Sequence, residues 1–219
     1  MSTAPTTTQP PPARTPRRVY IPLVLLAIFL LVAVGFFIRG TWADTQERDP
    51  SSIADSPVVQ LLRKPNGNVV VRGAIRIDAR PTEVWSVVTG YDQHSKFLPY
   101  ISKVEATPRN DGRIKVAGVA HSRIWGDWPF DALTLHDASP ADGLFTASWS
   151  EDNVDDFEVN RGAWGVKPID RNQSQSLLTL TLQIELKKYP NFIVRNVLMD
   201  RLPSVLTAMR DETLRRKGG

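Results

Sequence analysis

The feature that most restricts this chain is a period-two hydrophobic pattern that starts at Asn68 and resumes from Ile101 to Lys187. Alternation gives each segment one face to bury and one to wet, which suits antiparallel strands and not the doubly buried strands of a parallel sheet. In the first segment Val69, Val71, Gly73, Ile75 and Ile77 share a face, with Val70, Arg72, Ala74, Arg76 and Asp78 opposite. Six further strands are expected over residues 101–107, 113–125, 130–136, 144–150, 157–166 and 177–187. Between them lie turn-forming stretches such as Asn110-Asp111-Gly112, Gly126-Asp127 and Ser139 to Gly143. The last strand is the clearest: Leu178, Leu180, Leu182, Ile184 and Leu186 face one way, Thr179, Thr181, Gln183 and Glu185 the other.

Between the first and second strands the period changes. Pro81 opens a helix with Glu83 in its first turn and Val84, Trp85, Val87 and Val88 as its apolar side, and Gly90 ends it. Tyr91 to Phe97 reads as a second short helix, closed by Pro99. The chain finishes in an amphipathic helix over residues 191–216, where Val194, Leu198, Leu202, Val205, Leu206 and Met209 recur at spacings of three and four. Pro203 interrupts it and removes the donor for the Met199 carbonyl. The expected fold is therefore α+β: a curved seven-stranded antiparallel sheet around one long helix, with two short helices at one end.

Particular residues add a resemblance. The stretch from Val71 to Trp85 (VRGAIRIDARPTEVW), then Val88 to Asp92 and Phe97-Leu98-Pro99, resembles the opening of the START-like, or SRPBCC, superfamily. Within it the likeness is to the polyketide cyclase/dehydrase and coenzyme Q-binding branch. Gly162-Ala163-Trp164, the strand to Leu186 and residues 191–210 are similar to that branch's closing elements, so the resemblance covers residues 68–212. It implies a helix-grip fold with a hydrophobic cavity between sheet and helix.

The N-terminal region follows different rules. Residues 1–18 are rich in Ser, Thr, Pro and Gln and are expected to be a disordered tail. Residues 19–38 then form an uncharged run, VYIPLVLLAIFLLVAVGFFI. Twenty helical residues at about 1.5 Å each match a hydrocarbon core of ~30 Å, so a single transmembrane helix is expected. A cleaved signal peptide is the rival, with Thr41-Trp42-Ala43 as a cleavage site, but the run exceeds the usual ~7–15 apolar residues. Residues 39–66 read as a linker with a short helix near Pro57 to Arg63, and residues 67–219 as the START-like domain.

Charge supplies an orientation. The chain has 27 basic and 23 acidic residues, but Arg14, Arg17, Arg18 and Arg39 all precede the first acidic residue, Asp44. From residue 40 onward the two signs balance at 23 each. The flanking arginines favour a cytoplasmic N-terminus and an exported domain, periplasmic or extracellular. The neutral remainder argues against a nucleic-acid-binding body.

Catalytic and metal signatures are few. There is no cysteine, no Gly-x-Ser-x-Gly elbow and no phosphate-binding glycine loop. The three histidines, His94, His121 and His136, lack metal-ligand spacing and read as solvated or strand-surface residues. The acidic run Glu151 to Asp156 reads as a solvated hairpin turn, without the glycine and closing glutamate of a calcium loop. No cofactor, metal or catalytic residue is assigned; Arg123, Asp131 and Glu185 have undetermined facing. Trp85 and Trp164 are assigned to the core.

A pocket would then carry the function. Phe145 and Trp149 share a strand face with Ala147, Gly118 and Ala120 are small enough to leave space, and Leu198, Leu202 and Leu206 offer the helix side. Phe97, Leu98 and Tyr100 sit where the family's loop closes the pocket. The favoured reading is a membrane-anchored binding or carrier module for a lipid or isoprenoid quinone. The alternatives are a protein-interaction module without a small ligand and a polyketide cyclase/aromatase-like enzyme.

Overall fold

The computed structural model of the chain describes residues 56–219 apart from 64–68, 123–125, 153 and 155. The expected tail 1–18, the membrane span 19–38 and the turn Pro65-Asn66-Gly67 lie outside the described residues. Among the described residues no helix is long and apolar enough to cross a membrane.

Eight strands form one antiparallel sheet: β1 (Val58–Arg63), β2 (Val69–Ile77), β3 (Ile101–Pro108), β4 (Ile114–Ser122), β5 (Gly126–Ser139), β6 (Leu144–Asp152), β7 (Phe157–Pro168) and β8 (Ser176–Leu186). Their spatial order is β1-β2-β8-β7-β6-β5-β4-β3. The helices are α1 (Pro81–Val88), α2 (His94–Phe97), joined to it through a 3₁₀ turn at Tyr91–Gln93, and α3 (Asn191–Lys217). This is an α+β fold, a curved antiparallel sheet with a long C-terminal helix, as the alternation predicts.

The strand count corrects the expectation of seven. Val58–Arg63, expected as a short helix in the linker, is an edge strand running from Val58↔Ala74 to Arg63↔Val69. The physical reason is pairing. A single helical turn or two gains little on its own, whereas pairing with β2 gives the backbone its partners and buries Leu61 to 6% exposure.

Curvature has a visible cause in β5. Its first nine residues pair with β4, to Thr134↔Ile114, and its last five pair with β6, from Leu135↔Ser148. One strand therefore belongs to two halves of the sheet, which part at Thr134. The Leu133 N–H, next to this split, donates to the Glu151 carboxylate at 2.7 Å. Glu151, expected only as part of a solvated turn, thus satisfies a backbone group that the ladder leaves open.

The main core lies between the sheet's concave face and the helices. Val71, Ile75 and Ile77 of β2, Leu178, Leu180 and Leu182 of β8, Val84, Val87 and Val88 of α1, and Leu202, Leu206 and Met209 of α3 are all buried in it. Gly73 sets how closely α3 can approach. A β-carbon there would lie 2.7 Å from both Leu202 Cδ2 and Leu206 Cδ1, so the helix rests on bare backbone at this point. Trp85 stacks on Phe145 with ring centroids 5.3 Å apart.

Candidate functional site

Close packing at Gly73 uses up the middle of α3. Its N-terminal half has no such contact with β2, and faces a cavity of about 390 Å³. The α3 wall is Val194, Val197, Leu198, Arg201 and Val205; Tyr91, His94 and the Leu98-Pro99-Tyr100 loop close one side, and strands β3 to β8 contribute the rest. The deep wall is aromatic and aliphatic: Val116, Phe130, Ala132, Trp149, Trp164 and Leu180. The volume lies in the ~300–1,000 Å³ range of small-molecule pockets.

Local sequence shapes this wall through side chains removed as much as added. Val116, Gly118 and Ala120 share a face of β4, and the first and last line the cavity. Gly118 does not, because the Phe130 ring from the paired strand lies over it; an added β-carbon would meet Phe130 Cζ at 2.7 Å. Gly162 plays the same part for Trp149, whose six-membered ring occupies the space of the missing side chain. Trp149 is thereby laid against β7, where its indole N–H donates to Asn160 Oδ1 at 3.0 Å.

The structure divides the residues singled out by sequence. Leu98, Tyr100, Ala120, Trp149 and Leu198 line the cavity. Phe97, Phe145, Leu202 and Leu206 pack in or against the core, and Gly118 is covered by Phe130. For Leu202 and Leu206 the reason is the Gly73 contact, and for Phe145 it is the stack with Trp85. Trp164 is buried in the core as expected, and its remaining face meets the cavity.

The histidines depart from the sequence reading. His94 is buried at 6% exposure, its Nε2 3.0 Å from the Val87 carbonyl. Burial pushes its pKa down, with Arg216 pushing the same way and the carbonyls of Val87 and Val88 pulling against it. His136 is half-buried, and burial lowers its pKa too. Its Nε2 shares a 2.7 Å hydrogen bond with the Tyr91 hydroxyl. Burial pushes the Tyr91 phenol up to about 12, against a hydrogen bond to Thr134 that lowers it. Only His121 is exposed, with Nδ1 2.6 Å from Asp127 Oδ1. Asp131 pairs with Lys115 at 2.6 Å, Glu185 accepts from Asn191, and Arg123 lies outside the described residues.

At the rim, a strained residue meets a cation. Tyr100 has φ +71°, in the left-handed region where a side chain costs about 1–2 kcal/mol. Its carbonyl accepts the His121 N–H at 2.7 Å, which ties the loop to β4. Its ring lies under the Arg201 guanidinium, 4.5 Å from carbon to centroid, and its hydroxyl is 3.3 Å from Ser204 Oγ. The hydrogen bonds from Ser204 and then Arg201 draw the phenol below its ordinary pKa. Sequence reasoning had no signal for Arg201 or Asn160: a polar residue at the edge of an apolar helix stripe or strand face looks the same whether it lines a cavity or meets solvent.

Solved structures place the geometry among known folds. The chain is similar to a STAR-related lipid transfer protein from Xanthomonas axonopodis (14% identity, 76% of this chain and 96% of that one covered, TM-score 0.60). It is similar to human StAR-related lipid transfer protein 5 (12%, 90% and 99%, TM-score 0.63). A third likeness is to the Zhui aromatase/cyclase from Streptomyces sp. R1128 (16%, 67% and 94%, TM-score 0.54). At these identities the likeness is one of fold. No curated protein matches the chain by sequence. A family model described as polyketide cyclase / dehydrase and lipid transport matches residues 77–210, more than half of the chain. The chain belongs to the polyketide cyclase/dehydrase and lipid transport family.

Proposed function

We propose that this chain is a membrane-anchored binding or carrier module for a hydrophobic small molecule of the lipid or isoprenoid quinone class. The observation that carries the reading is the cavity: about 390 Å³ with an aromatic and aliphatic wall, beside a core that is otherwise closely packed. Packing alone leaves few voids larger than a water molecule, so stability does not require this space. The family's description includes lipid transport, and two of the structural neighbours are lipid transfer proteins by name. The uncharged run 19–38 supports an anchor, and the arginines before it an exported domain. Tethering would keep the cavity beside the bilayer that stores its ligand and raise the effective concentration.

The other readings gain less support. A protein-interaction module would be favoured by a filled interior. A cyclase-like enzyme would need polar groups presented to a substrate. Tyr91, His94 and Asn160 reach the lining, but they are tied to His136, the Val87 carbonyl and Trp149.

The test is photo-crosslinking of the full-length chain, kept soluble in a non-ionic amphipol, with an uncharged diazirine-bearing palmityl alcohol. Labelling should saturate and map to the peptides holding Trp149 and Leu198, and Ala120→Trp should block it by filling the space. Labelling that never saturates, or that maps outside the cavity, overturns the reading.

A further inference from the structure

The next step rests on the reading of the cavity as a lipid site and narrows what occupies it. No Asp, Glu or Lys is among the residues lining the cavity, and Arg201 is the one permanently charged group there among the described residues. Its placement is not that of an ordinary surface cation. It follows the cavity-lining Leu198 by three positions on α3, and its side chain is 33% exposed. Its apolar stem therefore runs along the wall while the guanidinium stands at the rim.

The rim holds that guanidinium in place. The Tyr100 ring lies beneath it at 4.5 Å, on a backbone whose φ of +71° is unfavourable for tyrosine. Asp200, its acidic neighbour, is 3.4 Å away with a side chain 76% exposed, a geometry in which solvent screens most of the attraction. The inner end is the opposite in character: Val116, Ala132, Trp164 and Leu180 are all buried and carry no charge. One site thus has a largely apolar interior without a permanent charge and, among the described residues, a single guanidinium at its opening. A uniformly apolar ligand would make no use of that cation. A head bearing two or more anionic oxygens matches the guanidinium fork, which binds carboxylate or phosphate through paired N–H donors.

We propose that the cavity takes a long-chain amphiphile with an anionic oxygen head, carboxylate or phosphate, its chain inside and its head on Arg201 at the rim.

Competition against the same diazirine alcohol on the full-length chain tests this. The competitors are palmitate, palmitoyl lysophosphatidate, palmityl alcohol and decylubiquinone. At least one of the two anionic lipids should compete at a concentration on the order of tenfold or more below palmityl alcohol, as expected for hydrogen bonds to a charged group. Which of the two is stronger identifies the head. Arg201→Met should bring the better anionic competitor to parity with the alcohol, and Arg201→Lys, which keeps the charge without the fork, should give an intermediate ratio. Circular dichroism of each variant separates lost recognition from lost folding. Equal competition by all four lipids, stronger competition by the quinone, or an anionic preference that survives Arg201→Met each overturns this proposal and leaves the lipid site standing. Failure of every competitor to reduce labelling removes the lipid site itself.

Discussion

Gly162 and Gly118 each hold a place for an aromatic ring from the next strand. In both cases a methyl group would collide with the ring and not with solvent, and at Gly118 it would also strike the Lys103 carbonyl of β3. Gly162→Ala should therefore displace Trp149, cost about 1–3 kcal/mol as overpacking does, and weaken the indole bond to Asn160. Denaturant unfolding and the tryptophan emission maximum would register both effects; an unchanged midpoint would contradict the packing described. His94 carries a pH prediction. Burial keeps it neutral in the folded chain at pH values where the unfolded chain takes up a proton. Its contribution is complete above the ordinary imidazole pKa of about 6.5 and is lost as pH falls from there through the folded value. The melting temperature should drop between pH 7.5 and 5, and His94→Gln should flatten that drop while lowering stability at pH 7.5. A slope unaffected by His94→Gln would assign the acid sensitivity elsewhere. At this scale sequence was a partial guide. The small residues of β4 and the helix leucines marked the correct surfaces, but Leu198 and Leu202 are equivalent in any helical pattern. What separates them is Gly73, a hundred-odd residues away, where the strand lets the helix touch.

At the scale of elements, α3 runs from Asn191 to Lys217 through Pro203. The proline cannot donate to the Met199 carbonyl, and the next residue, Ser204, donates its hydroxyl to the Arg201 carbonyl at 2.7 Å. The turn in which Pro203 removes a backbone donor is therefore the one that carries Arg201. Pro203→Ala should stabilise the helix by an amount on the order of 1–3 kcal/mol, read as a raised unfolding midpoint. Gly73→Val should do the reverse, because its methyls would wedge Leu202 and Leu206 off the sheet. If Gly73→Val is neutral, the helix is not seated on this strand. Among the described residues, periodicity located β2, the six strands from β3 onward and the three helices. It missed β1 because Val-Val-Gln-Leu-Leu-Arg has no clean alternation and is bounded by prolines, which suit a linker equally well. Nothing local to those six residues specifies a strand; the open edge of β2 does.

For the molecule as a whole, the balance of charge from residue 40 onward means that the domain has no net charge with which to draw a ligand in from a distance. Uptake of an uncharged lipid should therefore be nearly indifferent to salt between 0.05 and about 0.5 M, a range over which screening of surface charge changes severalfold. The proposed topology is tested by fusion at Gly219: alkaline phosphatase should be active there in a bacterial host, and replacement of Arg14, Arg17 and Arg18 by glutamine should reduce that activity as orientation becomes mixed. An inactive phosphatase fusion would place the domain in the cytoplasm.

The strand order has a consequence for how the chain is made. From β4 to β8 each strand pairs with the one before it, so the meander that starts at β3 can assemble as it emerges. β2 has no such neighbour on its second edge until β8 arrives, and Gly73 pairs with Leu180 near the other end of the domain. The seat for α3 is built from that pair of strands, so neither core nor cavity can close before the last quarter of the polypeptide is present. Until then the β2 edge stays open to pairing with other chains. Closure of the core therefore comes late, a timing that suits a chain threaded across a membrane before it folds, and one that makes premature termination a route to aggregation more than to a shortened working protein.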